Sequence, residues 1–516
     1  MQKRWTLLLA LAVTLALGAG FRFFVVHSWH APAGDGLDFH QLSQQLLLRG
    51  TFAYGPPPLG PSYGRLPGYP LFLAYIAVRQ APLDLLSHVI KATQANVVID
   101  LLSSCLVFAI LRELGLGRRA AIAGLVATLL CPILVLLSCY ALTETLATFL
   151  GLLAFYLTLR LRRALRAGEP WIGWAALAGL AAGLGQLVRA DTLTLLPSLA
   201  LLAVDFAGLR RDGWPAADPA RLVRRLLPVF LLFAVAGLTF LPWPVRNLIQ
   251  FGEPHPAGAR WRTRPAGRPL PSEPVTWMRT WGDGGAGDGY LDLVFVAGLK
   301  LPTQPGRFDP KVCDDRAQCD RTLAVFARYN QEGLTPAVRG DFLALAAERS
   351  AAHPLRTWVG LPLLRLRSLW RPLPEWELPL RAPALGFPRH RWVFAVVDVV
   401  LYALSLLGAG LLIARRSSGG GRLLALALVL PAVLRSAMYA YLIPAGVNQR
   451  YLVEIYPLLI ILSALGLHTL HARSTGRSAE TGGVTTGSAS AAGGGLGNQQ
   501  AEVGAGGEGA GHVLGP

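Results

Sequence analysis

Two carboxylates, Asp35 and Asp38, fall in a polar stretch just beyond the first apolar run of the chain, and a third, Glu144, opens a later one. Ionisable groups are costly at membrane depth, so acids and arginines beside such runs are candidates for function. Arg22, Asp35, Asp38, Glu144, Arg189, Asp191, Arg246 and Arg450 all fall at ends of apolar runs that the topology below assigns to one membrane face. For any one of them the plain alternative is an interfacial anchor or a structural ion pair, because long cationic side chains reach water cheaply. Together they suit a specific chemistry. Guanidinium forks match phosphate oxygens, and a carboxylate beside a bound phosphate takes the proton of an attacking hydroxyl or amine. The chain has no GxxxxGK[ST], HExxH or GxSxG, and no GxGxxG between a strand and a helix. If this is an enzyme, its energy source is therefore something other than ATP, such as a lipid-linked activated substrate.

The composition sets the class. Of 516 residues, 53% are hydrophobic and 15% charged, against about 25% charged in ordinary soluble domains. An all-α polytopic membrane protein is expected. The formal charge of +18 comes mostly from arginine. It is not accompanied by zinc-ligand spacing, a basic recognition helix or an RRM-like stretch, so no nucleic-acid partner is expected. Positive-inside topology accounts for it instead.

A helix needs about 20 residues to cross the hydrocarbon core. On that criterion the expected spans are 5–26, 92–111, 120–137, 140–160, 172–188, 192–208, 226–243, 392–414, 423–443 and 451–470, about ten in all. The first, preceded by Lys3 and Arg4, reads as an uncleaved helix rather than a signal peptide. Residues 37–49 carry an apolar stripe of Leu37, Leu42, Leu46 and Leu47 and suit a helix lying on the membrane surface. The segment 68–78 is apolar but short. Arginine-rich connections at 112–119, 160–166 and 209–225 belong inside, which places the first loop, 28–91, outside. Arg365 and Arg367 make 355–370 a costly span and favour an interfacial helix. If both 68–86 and 355–370 crossed, the count would be about twelve.

Four parts follow: an N-terminal transmembrane catalytic module, 1–246, including the outer loop; an extracytoplasmic region with interfacial helices, 247–390; C-terminal transmembrane helices, 391–471; and a Gly/Ala/Ser-rich tail, 472–516, expected to be disordered. Cys313 and Cys319 lie in the outer region, where an oxidising compartment permits a disulfide, although two idle thiols fit the spacing equally.

Several ordered strings carry a resemblance. They are Asp35 followed by Phe39 and Ser43, RLPGYPLFLA (65–74), LRELGLGRRAA (111–121), LTETLATFL (142–150), GLGQLVRAD (183–191), PWPVRN (242–247) and QRYLVEIYPLL (449–459). With them the chain resembles the bacterial integral-membrane glycosyltransferases of the GT-C superfamily. More specifically it looks like the branch with the dolichyl-phosphate-mannose–protein mannosyltransferases, the lipid A aminoarabinose transferases and the RgtA/B/C/D-like proteins. The resemblance implies a GT-C-type transmembrane fold with amphipathic surface helices in the first outer loop and a large outer region. It implies Asp35 as the acid at the reaction centre, with Asp38 as the alternate and Glu144 as a second acid. Arg65, Arg189, Arg246 and Arg450 would face the donor phosphate, and Tyr69, Asp191 and Tyr451 are further site candidates. Phe39 stands where the family usually has Tyr, and Gly36 where some branches have Glu.

The implied reaction moves a sugar from a polyprenyl-phosphate donor to an envelope lipid, polysaccharide or protein, with inversion. It would take place on the outer face of a bacterial cytoplasmic (inner) membrane. No cofactor is required by this chemistry; a divalent metal is optional, with Asp35 and Glu144 as its candidate ligands. A lipid-linked oligosaccharide transferase or ligase is the alternative. A transporter would instead place acids deep in the spans and show internal repeats.

Overall fold

The computed structural model describes residues 2–28, 35–54, 60–61, 65–77, 84–204, 219–252, 272–284, 300–304, 309–372, 391–414, 419–444 and 446–475. The described residues belong to one compact unit, Met1–Ser478. The tail expected from 472 onward lies almost wholly outside the described residues.

The fold is all-α and polytopic. Among the described residues six helices are long and apolar enough to cross a membrane, and a bent pair makes a seventh. The only strand pairing among them is a two-residue antiparallel ribbon, Ala53–Tyr54 with Gly60–Pro61. The chain opens with α1 (Gln2–Ser28), α2 (Asp35–Arg49), α3 (Gly68–Ala77) and α4 (Leu85–Glu113). Next come α5 (Arg118–Leu130) and α6 (Pro132–Ser138), bent by 56° at Cys131. The bend has a local cause, since a residue before proline is pushed out of the helical region, and Cys131 is extended with ψ 113°. α7 (Glu144–Ala167) stops at Gly168, which takes the left-handed φ of 70° that favours glycine.

After α8 (Ile172–Val188) the backbone turns extended at Arg189, runs through a 3₁₀ turn (Ala190–Leu195) and continues as α9 (Leu196–Ala203). α10 (Pro219–Phe240) packs along α8, and α11 (Pro242–Phe251) follows it. The C-terminal helices are α16 (Arg391–Ala414), α17 (Gly419–Leu442) and α18 (Tyr456–Ser474), the last entered through a 3₁₀ turn, Gln449–Ile455. One apolar core runs through α4, α7, α8, α16, α17 and α18.

A second core belongs to the region between the two groups of helices. There α12 (Ser272–Met278), α13 (Arg316–Glu332) and α14 (Pro336–Ala352) surround Trp277, Phe326, Tyr329 and Phe342. Cys313 and Cys319 are joined by a disulfide at the start of α13. Behind it, buried Arg349 donates to the carbonyls of Lys311 and Val312 and to Asp314. The segment after α14 forms a π-helical turn, Arg356–Gly360, and then α15 (Leu361–Trp370). α15 exposes Leu363, Leu364 and Arg367 but buries Arg365, so one of its two charges is turned inward.

Two expectations need correction. Arg22 does not join the outer-face charges: it is fully buried and pairs with Asp100 in the middle of α4, Nε to Oδ2 at 2.8 Å. Acids do lie within the spans, since Asp398 on α16 is also buried. Each is held by designated partners, Asp100 by Arg22 and Asp398 by Gln449 and Tyr456. Such pairing offsets the desolvation that makes a lone buried charge untenable.

Candidate active site

The first turn of α2 carries Asp35 and Asp38, three residues apart and so on one helical face. Both reach Arg65, whose Nη2 donates to Asp35 Oδ1 and Asp38 Oδ2 at 2.6 Å each. The guanidinium also lies 5.3 Å from the Phe39 ring centre. The RLPGYP string is thereby explained. Arg65 clamps the two acids, and Gly68 lets α3 begin against the end of α8, where a Cβ would stand 2.7 Å from the Leu187 carbonyl carbon. Tyr69 is buried, edge-on to Phe39, and its hydroxyl accepts from Asn96 Nδ2 at 3.1 Å.

From the other side Arg450 bridges Asp35 and Glu144. Its Nη2 lies 3.0 Å from Asp35 Oδ2, and its Nε forms an ion pair with Glu144 Oε1 at 2.9 Å. Asn448 caps the 3₁₀ turn on which Arg450 sits, its Oδ1 accepting from the Arg450 N–H at 3.1 Å. Thus three segments far apart in sequence, 35–38, 144 and 450, meet at one guanidinium.

Behind this front lies a buried wall. The extended backbone at Arg189 turns its side chain into three carboxylates: Asp191 at 2.8 Å, Glu144 at 2.9 Å and Glu454 at 2.9 Å. Glu454 also pairs with Arg435 at 2.8 Å, and Tyr439 donates to Asp191 Oδ2 at 2.7 Å. Tyr451 stacks on Tyr439 at 4.9 Å and lies beneath Arg450, 5.3 Å from its guanidinium carbon. Glu454, Arg435 and Tyr439 escape a sequence reading. Glu454 lies in the QRYLVEIYPLL string, five residues before its end, but nothing local marks it as facing Arg189.

Exposure grades the cluster. The side chains of Asp35, Arg65 and Arg450 are 26%, 22% and 23% exposed, whereas those of Glu144, Arg189 and Glu454 are 1%, 10% and 2%. The first three are the partly open members of the cluster, and the others lie behind them. Arg246 has a different setting. It lies against the rings of Phe52, Trp243 and Phe251 and donates to Asn247 Oδ1 at 2.9 Å.

Burial would raise the Asp35 carboxyl, but the Arg65 and Arg450 guanidiniums prevail and hold it well below the usual carboxylate range. Asp35 is consequently ionised at neutral pH. Its contribution to stability is complete there and is lost only as the pH falls below about 4, the usual carboxylate value.

Fold and site together define a polytopic helical membrane protein with an arginine–carboxylate centre at one end of its bundle. A family profile described as dolichyl-phosphate-mannose-protein mannosyltransferase matches residues 75–252. No curated protein sequence matches the chain. Among solved structures, the chain is similar to the oligosaccharyltransferase AglB of Archaeoglobus fulgidus in complex with an inhibitory peptide and a dolichol-phosphate. The identity is 15% and the TM-score 0.50, covering 91% of this chain and 51% of that one. It is also similar to the apo form of that enzyme, with 15% identity and TM-score 0.47 over 92% of this chain and 51% of that one. A third similarity is to ArnT from Cupriavidus metallidurans bound to undecaprenyl phosphate, with 18% identity and TM-score 0.36 over 90% of this chain and 78% of that one. The chain spans about half the length of the oligosaccharyltransferases it matches. Its helical membrane fold is like that of the archaeal oligosaccharyltransferase.

Proposed function

We propose that the protein is a glycosyltransferase that moves a sugar from a polyprenyl-phosphate-linked donor to an envelope lipid, glycan or protein. One observation carries the proposal: a partly exposed carboxylate, Asp35, stands between two partly exposed arginines, Arg65 and Arg450. That is the minimal equipment for holding a phosphate leaving group beside a base. Arg450 and Arg65 bind the donor phosphate. Asp35 takes the proton of an acceptor hydroxyl as its oxygen bonds to the anomeric carbon. The carbon–oxygen bond to phosphate breaks, and polyprenyl phosphate leaves with the electron pair. Single displacement inverts that carbon. Glu144 and Arg189 act behind the front as positioning residues.

The reaction as proposed needs no divalent ion. Asp35 and Glu144, the pair expected to hold one, have the Arg450 guanidinium between them at 3.0 and 2.9 Å. No step is routed through such an ion.

About ten spans are proposed, with 355–370 interfacial. The arginine-rich end of α7 lies opposite Glu144, and the positive-inside rule then supports an outward-facing site in a bacterial cytoplasmic membrane. A second reading is transfer of a lipid-linked oligosaccharide. It is favoured by the likeness of fold to the archaeal oligosaccharyltransferase, which extends over 91% of the chain. A panel of donors carrying one or several sugars separates the two, by the mass of the product.

Two expectations follow for this site. Arg450→Gln removes hydrogen bonds to a charged group, each worth about 1.5–3 kcal/mol, so the donor concentration giving half-maximal rate should rise by roughly 10–100-fold. An unchanged donor requirement removes Arg450 from the phosphate site. Because Asp35 is held low by its arginines, kcat/KM for the wild type should show no acid limb from this residue above about pH 5. In Arg450→Gln the limb should move upward in pH; an identical profile in both proteins contradicts the clamp.

A further inference from the structure

Arg365 was notable in the sequence only as a charge that argues against a span. It is now a fully buried guanidinium on α15, and what it holds bears on Arg450. Its Nε donates to the Gly282 carbonyl at 2.9 Å and its Nη1 to the Ala440 carbonyl at 2.9 Å. Its Nη2 donates to the carbonyls of Arg279 and Gly282 at 2.6 Å each. Arg279 and Gly282 follow the C-terminus of α12, and Ala440 is in the last turn of α17. Helix C-termini leave carbonyls unpaired and carry partial negative charge, which a buried cation satisfies. A planar fork with several donors can serve two such ends at once, where a lysine ammonium serves one point.

The strand of backbone so fixed, 279–284, is fitted closely to the segment that leads into Arg450. A Cβ on Gly282 would stand 2.5 Å from the Pro444 carbonyl oxygen. Gly284 has φ 89°, in the region that favours glycine, and a Cβ there would lie 3.3 Å from both Arg365 Cγ and Val447 Cβ. The Gly284 carbonyl accepts from the Val447 N–H at 3.2 Å. One residue on, Asn448 caps the turn bearing Arg450. The same 279–284 backbone continues from Trp277 and Met278, which belong to the core of the outer region.

We infer that Arg365 is a positioning residue: it seams the outer region to the 444–450 segment and so sets where the Arg450 guanidinium stands. Its side chain touches neither Asp35 nor Glu144 in any of its bonds to Gly282, Ala440 and Arg279; it acts through backbone. Movement of the outer region on taking up an acceptor would accordingly be felt at Arg450. The donor-site part of this inference rests on reading Arg450 as a phosphate ligand; the structural part does not.

The test is hydrogen exchange of the full-length protein in lipid nanodiscs, comparing wild type with Arg365→Lys and, as a variant that leaves the arginine in place, Gly284→Ala. Both should lose protection over 446–455 by about tenfold or more while 36–49 in α2 exchanges as in wild type. Unchanged protection at 446–455 in both variants overturns the inference, as does uniform loss over the chain in both. This readout needs no donor, so it stands or falls apart from the proposed function. Binding of polyprenyl phosphate then tests the link to Arg450. Arg365→Lys should weaken it, and adding Arg450→Gln should make it no weaker than Arg450→Gln alone. Losses that multiply would show that Arg365 acts by another route.

Discussion

Replacing Asp35 by Asn is expected to lower kcat for sugar transfer by about 10²–10⁴-fold, the contribution of a general base, with the protein still folded in membranes. The amide keeps the shape and a hydrogen-bond acceptor for Arg65 but cannot take a proton at neutral pH. Arg65 keeps Asp38 and Arg450 keeps Glu144 as counter-charges, so the chain should still fold. Donor binding should change less than turnover, because the arginines remain. Asp38 provides the internal comparison. It shares Arg65 through a 2.6 Å bond but is itself buried, so Asp38→Asn should disturb the clamp without removing the base. Full transfer by Asp35→Asn, or a larger loss in Asp38→Asn, would move the base away from Asp35.

Arg189→Met is expected to have the largest effect on folding. This one guanidinium contacts Asp191, Glu144 and Glu454, all three of them buried. Removing one member of a buried ion pair costs about 3–5 kcal/mol because the partner charge is left uncompensated. Glu454 keeps Arg435 and Glu144 keeps Arg450, while Asp191 loses its 2.8 Å guanidinium contact and keeps the Tyr439 hydroxyl. Thermal unfolding in detergent, read by the loss of the monodisperse species, should show a much lower midpoint for Arg189→Met. A second substitution, Asp191→Asn, should restore part of the loss by removing a buried charge that has lost its guanidinium contact. An unchanged midpoint would contradict the buried wall as drawn.

The sequence carried the helices well because their signal is length and apolarity. Residues 92–111 lie within α4, 172–188 coincide with α8, and 392–414 lie within α16. The short 68–78 run is the ten-residue α3. The ion pair of Arg22 with Asp100 was not legible, because 78 residues separate them and Arg22 sits close enough to a helix end to read as an interfacial anchor.

At the site, residue type and motif position were enough to select Asp35, Glu144, Arg65, Arg189 and Arg450, and the structure brings all five into one chain of ion pairs. What they could not supply was depth. Arg189 and Arg450 look alike in sequence, yet one is buried among three acids and the other is partly open. Arg246 looks like both and lies among aromatic rings. Depth depends on which segments cross above a residue, and no local pattern records that. The same holds for Arg365, whose role comes from two helix ends brought to it from 83 and 75 residues away.

The graded exposure also gives the site a working order. On the proposed function, a phosphate arriving at Arg65 and Arg450 would compete with Asp35 for the same guanidiniums. As those cations turned to the phosphate, the influence that holds the Asp35 carboxyl low would weaken and its basicity would rise. Donor binding would thus prepare the base for the acceptor, with the buried pairs of Glu144, Arg189 and Glu454 behind it.

Whether Asp35 and Arg450 form a site for a polyprenyl-phosphate sugar is tested most directly by reconstituting purified wild type, Asp35→Asn and Arg450→Gln in lipid. Each is offered a panel of polyprenyl-phosphate sugars together with envelope extract, and the released polyprenyl phosphate is measured by mass. Wild type should release it from at least one donor, Asp35→Asn little or none, and Arg450→Gln only at high donor concentration. Release by Asp35→Asn equal to wild type, or none by wild type from any donor, would contradict such a site.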